Sequence, residues 1–190
     1  MKKIPSLFVR NPENPKYVTR EVNPDCAWVI AGEGTATRKW DGAACMIRLG
    51  TLYKRYDCKK GKTPPANFEP CSEPDPVTGH WPGWVPVGQE PESRWFREAF
   101  EMAPGLPDGT YECVGPKVGG NPDGFQAHTL VPHGMHRFNA APRTFDGLEE
   151  WLQSAGIEGL VWHHPDGRMA KIKARDFGIA WPPKKAEVKP

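Results

Sequence analysis

The chain has no CxxC pair, no apolar run near the length of a membrane span, no internal repeat and no large surplus of either charge. Each absence removes a class of protein. Five cysteines (Cys26, Cys45, Cys58, Cys71 and Cys113) without ligand spacing exclude a zinc ribbon and argue against a disulfide framework, a pattern that fits a reducing cytoplasm. No segment approaches the ~20 apolar residues of a transmembrane helix. The start, "MKKIPSLFVRNPENPK", opens with two lysines after the methionine but has no apolar core of a signal peptide. A net charge of +2 does not by itself mark a nucleic-acid binder.

What is abundant is proline (22), glycine (20) and tryptophan (8) in 190 residues that are 38% hydrophobic. That length and apolar content favour a single domain over 1–190 with a packed core. The Pro and Gly content predicts many turns, short strands and few long helices. Residues 1–25 read as an irregular arm, "CAWVIAG" as a short strand, and "AACMIRLGTLYKRYD" as two strands about Leu49-Gly50. Residues 58–91 read as a long Pro/Trp-rich loop, and 92–102 as a short helix with Trp95, Phe96 and Phe100 on one side. "YECVG" and "AHTLVPHG" read as strands. "FDGLEEWLQSAG" is the clearest helix, with Asp146 as its cap, Glu149 completing a capping box, Leu148, Trp151, Leu152 and Ala155 on one face, and Gly156 as its stop. "EGLVWHHPDGRMAKIK" reads as a hairpin turning at Pro165-Asp166-Gly167, and 174–190 as a loosely held tail. The expected class is α+β with mostly antiparallel sheets and a few flanking helices.

The chemistry-bearing residues lie at intervals along this frame. "TRKWDGAA" puts Lys39 two places before an Asp41-Gly42 turn with Trp40 between, a pattern chance supplies in roughly 4 chains in 100 of this size. Strand alternation places Lys171 and Lys173 on one face of the closing hairpin and Glu158, Leu160 and Trp162 together on its partner, so that one hairpin can present a carboxylate and two ammonium groups to a single site. Glu112 sits in an apolar strand beside a glycine, and Arg55 lies in the charged stretch "YKRYD". Taken singly, the hairpin lysines, Glu112 and Arg55 each read as surface or strand-end residues.

Taken together, Lys39-x-Asp41-Gly42, Arg55, Glu112 with Gly115, Glu158-Gly159 and Lys171-x-Lys173 resemble, in order and spacing, the covalent nucleotidyltransferase superfamily of ATP-dependent ligases and mRNA capping enzymes. Within it, "TRKWDGAACMIRLGTLYKRYD", "PDPVTGHWPGWVPV", "YECVGPKVGGNP", "LVPHG" and "EGLVWHHPDGRMAKIKARDFG" look closest to the small stand-alone 5′–3′ RNA ligase family. The resemblance implies a nucleotidyltransferase (adenylyltransferase) domain and three-step joining of 5′-phosphate and 3′-hydroxyl RNA ends, with ATP and Mg²⁺ as cofactors. It implies Lys39 as the nucleophile that carries AMP, Glu112 on the ribose hydroxyls, and Arg55 on the ribose or incoming phosphate. Glu158 would bind the metal or position the lysine, and Lys171 and Lys173 would contact the α-phosphate. Lys39, Glu158, Lys171 and Lys173 are thus the expected catalytic set, and Trp40, Arg55 and Glu112 join them around the nucleotide. Many relatives carry Glu immediately before the nucleophile. Arg38 stands here, so adenine recognition falls to other groups, with the backbone near Trp40 and the "HTLVPHG" strand as candidates.

For the RNA partner, Lys54, Arg55, Lys59, Lys60 and Lys62 form one basic stretch, and the Trp81–Trp84 segment offers rings for unpaired bases. The two readings against this one are a GTP-dependent capping-type guanylyltransferase or minimal DNA ligase, and a nucleotide- or RNA-binding module with an inactive site. The short segment after Lys173 leaves no room for the ~100-residue oligonucleotide-binding (OB) domain that capping enzymes and DNA ligases usually need, so no C-terminal OB domain is expected.

Overall fold

The computed structural model describes residues 3–182. Its elements run β1 (Phe8–Arg10), β2 (Val18–Val22), α1 (Ala27–Ile30), β3 (Thr35–Lys39), β4 (Ala43–Arg48), β5 (Thr51–Cys58), β6 (Glu69–Pro70), β7 (Trp81–Pro86), α2 (Arg94–Glu101), β8 (Gly109–Val114), β9 (Thr129–Pro132), β10 (Arg137–Phe138), α3 (Phe145–Ala155), β11 (Gly159–His163) and β12 (Met169–Lys173). Every strand pair is antiparallel, so the α+β, mostly antiparallel class holds. No helix among the described residues is long and apolar enough to cross a membrane. The chain divides into two compact units, one built from Asp41–His133, the other from Ile4–Trp40 and the chain from Gly134 on. The boundary falls inside the KWDG motif: Lys39 and Trp40 end one unit, and Asp41 and Gly42 begin the other.

The first of these units is a six-stranded sheet in the order β6-β7-β5-β4-β8-β9. Leu49 (φ 50°) and Gly50 (φ 72°) make the expected tight turn between β4 and β5. Alternation along β4, β5, β8 and β9 puts Cys45, Ile47, Leu52, Tyr111, Cys113 and Leu130 on one face, where Ala99, Phe96 and Phe100 of α2 cover them. Burial pushes the Cys45 and Cys113 thiols upward, Cys113 to about 12, so neither is a thiolate nucleophile. The opposite face carries Glu112, Ala44, Arg55 and Trp84 in one row across the strands. Residues 58–91 are not a loop throughout. They supply β6 and β7, and Pro82 and Pro86 are tolerated because β6 pairs only with Gly83 and Trp84 between them. Trp84 is buried and Trp81 half-buried.

The second unit holds a four-stranded sheet, β10-β3-β11-β12, and the β1–β2 hairpin. Leu160, Trp162, Ala170 and Ile172 of the sheet pack with Leu7, Phe8, Trp28, Val29, Leu148 and Leu152 in one core. Four sequence expectations fail here. Of the expected arm, residues 1 and 2 lie outside the described residues, and 3–25 are not irregular, because Leu7, Phe8 and Val18 are buried and anchor the β1–β2 hairpin. "CAWVIAG" is helical rather than extended: a 3-10 turn at Pro24–Cys26, capped by the Asn23 side chain, runs directly into α1. The cap of α3 is Thr144, whose hydroxyl accepts the Gly147 N–H at 3.3 Å, while Asp146 sits in the first turn and pairs with Arg20. Nor is the start of the tail loose. Ala174, Asp176 and Trp181 are buried; the remainder of the predicted tail, 183–190, lies outside the described residues.

Candidate active site

Lys39 ends β3, and the register places it directly opposite Gly159, which in turn is opposite Lys173 on β12. Two lysines therefore flank a residue with no side chain, on one face of the sheet. The next rung pairs Thr37, Val161 and Lys171 on that same face. A Cβ on Gly159 would lie 2.1 Å from the Ile172 carbonyl oxygen, so only glycine lets β11 approach β12 this closely. The Glu-Gly of the motif thus has a steric reason for its second residue.

Glu158 reaches this face by a route that simple alternation does not describe. Leu160 and Trp162 point with Ile172 into the core, opposite to Lys171 and Lys173, so a strand-borne Glu158 would be buried among them. It lies instead in the bend just before β11, and its carboxylate turns to the lysine face. Oε2 accepts from Lys39 Nζ at 2.6 Å and Oε1 from Lys173 Nζ at 2.8 Å. The Glu158 side chain is only 5% exposed, against 21% for Lys39 and 30% for Lys173. Lys39 Nζ donates also to the Trp40 carbonyl at 3.3 Å.

Lys171 has no hydrogen-bond or ion-pair partner for its ammonium among the described residues. Burial, followed by the charges of Lys173 and Lys39, pushes its pKa down to about 8. The amine that the structure primes by desolvation is therefore Lys171, whereas Lys39 is held by a carboxylate. Next to it, Asp176 accepts the Lys173 backbone N–H at 2.9 Å and Arg10 Nη1 at 2.6 Å, which ties the end of β12 to the N-terminal hairpin. The Leu7 N–H donates to the Lys171 carbonyl, and the Lys171 N–H to the Pro5 carbonyl. Neither Arg10 nor Asp176 was marked by any sequence motif. At the edge of the site the Arg38 guanidinium lies 3.9 Å over the Trp40 ring, which makes an edge contact with His136.

The other unit carries Glu112 and Arg55. Glu112 stands opposite Ala44 and Val131, and its Oε2 is 3.0 Å from His133 Nε2, while His133 Nδ1 is 3.0 Å from Thr110 Oγ1. The Gly42 backbone packs against this strand: a Cβ there would lie 2.3 Å from the Cys113 carbonyl and 2.9 Å from Glu112 Cγ. Arg55 donates from Nε to Asp57 at 3.0 Å and lies 5.8 Å over Trp84. The basic stretch is not one free surface. Lys54 points to the α2 side, where it donates to Glu90 at 2.7 Å and Ser93 at 2.6 Å, leaving Lys59, Lys60 and Lys62 exposed. Trp84 is too buried to stack on a base, and the Trp81 indole donates to the Ser72 carbonyl.

Comparison with known proteins finds RNA ligases. A family model for RNA ligase 1 matches residues 101–189, a stretch that contains Glu112, Glu158, Lys171 and Lys173 but not Lys39. The chain is similar to the curated RNA ligase 1 of Danio rerio, at 30% identity over 138 residues, covering 55% of this chain and 42% of the relative. The RNA ligase 1 proteins of Pongo abelii (30%) and Rattus norvegicus (29%) match over the same coverage, so the chain spans less than half the length of these relatives. The family model and the curated relatives show that the chain is similar to RNA ligases over these stretches.

Proposed function

We propose that this chain is an ATP-dependent RNA ligase that joins 5′-phosphate and 3′-hydroxyl ends through a lysyl-AMP intermediate on Lys39. The observation that carries the reading is the Lys39–Glu158–Lys173 cluster, with Lys171 one rung away. A nucleophilic amine must shed a proton, and among the described residues the only carboxylate bonded to Lys39 is Glu158, at 2.6 Å. Lys39 Nζ then forms a bond to the α-phosphorus of ATP as the bond to the β-phosphate oxygen breaks and pyrophosphate leaves. Lys171 and Lys173, on the same face, offset the charge that develops on the α-phosphate. AMP next passes to the RNA 5′-phosphate, and attack by a 3′-hydroxyl releases it. Glu112 receives the ribose hydroxyls, and Arg55 the ribose or the incoming phosphate.

Magnesium fits this donor set only as a partner of phosphate. Among the described residues no cluster of three or more His, Cys, Asp or Glu could hold a metal ion alone. One carboxylate plus nucleotide phosphates is an ordinary magnesium arrangement, so Glu158 would hold an ion that arrives with ATP, whose charge would ease the departure of pyrophosphate. The test is incubation of the full chain with ATP labelled at the α-phosphate. One AMP per chain, in an acid-labile and base-stable bond, is the expected product. Equal labelling by GTP would shift the reading to a capping-type guanylyltransferase, and no labelling with either nucleotide would overturn it.

A further inference from the structure

We propose that His133, fixed in one tautomer by Thr110, is the positioning residue that aims Glu112 at the ribose of the bound nucleotide. This rests on the reading of Glu112 as the ribose ligand. The three side chains share one face of the sheet, because Thr110 and Glu112 are two residues apart on β8 and the His133 N–H donates to the Thr110 carbonyl at 3.1 Å, just past the end of β9. An ionised carboxylate can only accept, so the 3.0 Å contact requires a proton on His133 Nε2. In the neutral ring Nδ1 is then an acceptor, and the Thr110 hydroxyl at 3.0 Å donates to it. When the ring is protonated, the same hydroxyl turns and accepts. Thr110 therefore satisfies both charge states, and Nε2–H···Glu112 survives in each.

The consequence is a carboxylate with one oxygen committed. Oε2 is held by the imidazole, and Oε1 is left to accept from a hydroxyl. The Glu112 side chain is 12% exposed and His133 22%, enough cover to hold the pair in one geometry. The other charged side chains on this face are already engaged: Arg55 with Asp57 and Arg48 with Glu69. Among the described residues the only titratable group bonded to His133 is Glu112. Without Thr110, a neutral His133 is free to move its proton to Nδ1, which turns a lone pair on Nε2 toward the carboxylate and lets the side chain swing away.

The experiment measures adenylylation with ATP and with 2′-deoxy-ATP from pH 6 to 9 for the wild-type chain, His133→Gln, His133→Ala and Thr110→Val. The wild type should prefer ATP with a KM that is flat across this range. His133→Ala should raise KM for ATP about tenfold, one oriented hydrogen bond to a charged group, with kcat little changed and the preference over 2′-deoxy-ATP reduced. His133→Gln, whose amide N–H can replace Nε2–H, should recover part of this. Thr110→Val should make KM rise with pH, and its His133 ring nitrogens should show mixed tautomers by NMR where the wild type shows a protonated Nε2. Should the wild type label with ATP while His133→Ala keeps its KM, its ribose preference and its pH profile, the relay is wrong and the ligase reading stands. A wild type that is never labelled overturns both. A His133→Ala chain that unfolds leaves the decision to Thr110→Val and the tautomer measurement, and a flat KM with unchanged tautomers there would also overturn it.

Discussion

The two compact units handle charge in opposite ways. In the unit with Lys39, four cations (Lys39, Lys171, Lys173 and Arg10) gather about two buried carboxylates, Glu158 and Asp176, and one of the four, Lys171, has no ion-pair partner among the described residues. On the Glu112 face of the six-stranded sheet the charged side chains among the described residues are matched. Arg55 meets Asp57, Arg48 meets Glu69, and Glu112 leans on an imidazole that is itself satisfied. A surplus of buried positive charge is costly in a folded chain and useful chiefly when an anion arrives. A matched surface with one half-engaged carboxylate suits recognition of neutral hydroxyls. Under the function proposed above, the difference would give phosphate chemistry to one unit and nucleoside recognition to the other.

The most severe way to break this comparison is Lys39→Ala. It should lower AMP transfer to the protein by more than about a thousandfold, while Glu158 keeps its contact with Lys173 and the fold persists. Sealing of an RNA that already carries a 5′-adenylyl group should survive, because only the first step uses the amine. Retained labelling would show that the nucleophile lies elsewhere, and Lys171 would be the first candidate. Next comes Gly159→Ala. The new methyl would have to displace the backbone of β12 at Ile172, and a loss of about 2–4 kcal/mol in denaturant unfolding is expected, with labelling falling as Lys39 and Lys173 part.

How much of this was legible in the sequence differs between the units for a physical reason. Lys39, Glu158, Lys171 and Lys173 could be grouped because a hairpin and a short motif carry them, and local spacing decides which face a strand residue takes. The grouping was right although the reasoning for Glu158 was not: alternation fails one residue before the strand, where the bend lets the carboxylate choose its side. Glu112 was identified, but its partner was not, since 21 residues separate it from His133 and only the pairing of β8 with β9 brings them together. β7 was hidden by its prolines, which mark loops unless the strand has an open edge. α1 was misread because a four-residue apolar run has no period to distinguish helix from strand. Asp176 and Arg10 were invisible because their roles depend on the N-terminal hairpin meeting β12.

Lys171 sharpens the comparison through stability. Its pKa falls from 10.5 in the unfolded chain to about 8 in the fold. Between those values the unfolded chain binds more protons, so stability rises with pH across the window from about 8 to 10.5, and below pH 8 the buried ammonium imposes its full penalty. Lys171→Met should therefore stabilise the chain at pH 7, on the order of 1–3 kcal/mol, and flatten that rise. AMP transfer should fall in the same variant, as expected of a residue kept for function against stability. A wild-type chain whose stability does not rise between pH 8 and pH 10, and which is no less stable at pH 7 than Lys171→Met, would refute the unpaired-cation account.

The smallest effect tests the matched face. If Arg55 serves ribose or phosphate, Asp57 restrains it, since its carboxylate accepts the guanidinium Nε–H at 3.0 Å while remaining half exposed itself. Removing the cation and removing its restraint should then act with opposite signs. Arg55→Ala should raise KM about threefold to tenfold, and Asp57→Asn, which removes that carboxylate's charge, should lower it about twofold. Measuring both variants with ATP and with a 5′-phosphorylated RNA separates the roles: a shift confined to ATP places Arg55 at the nucleotide, and one confined to RNA places it at the incoming end. Were the pair only a clamp on β5, the two variants would instead lose stability together and leave both KM values where they were, and the contrast between a charged chemical face and a matched recognition face would lose its cation.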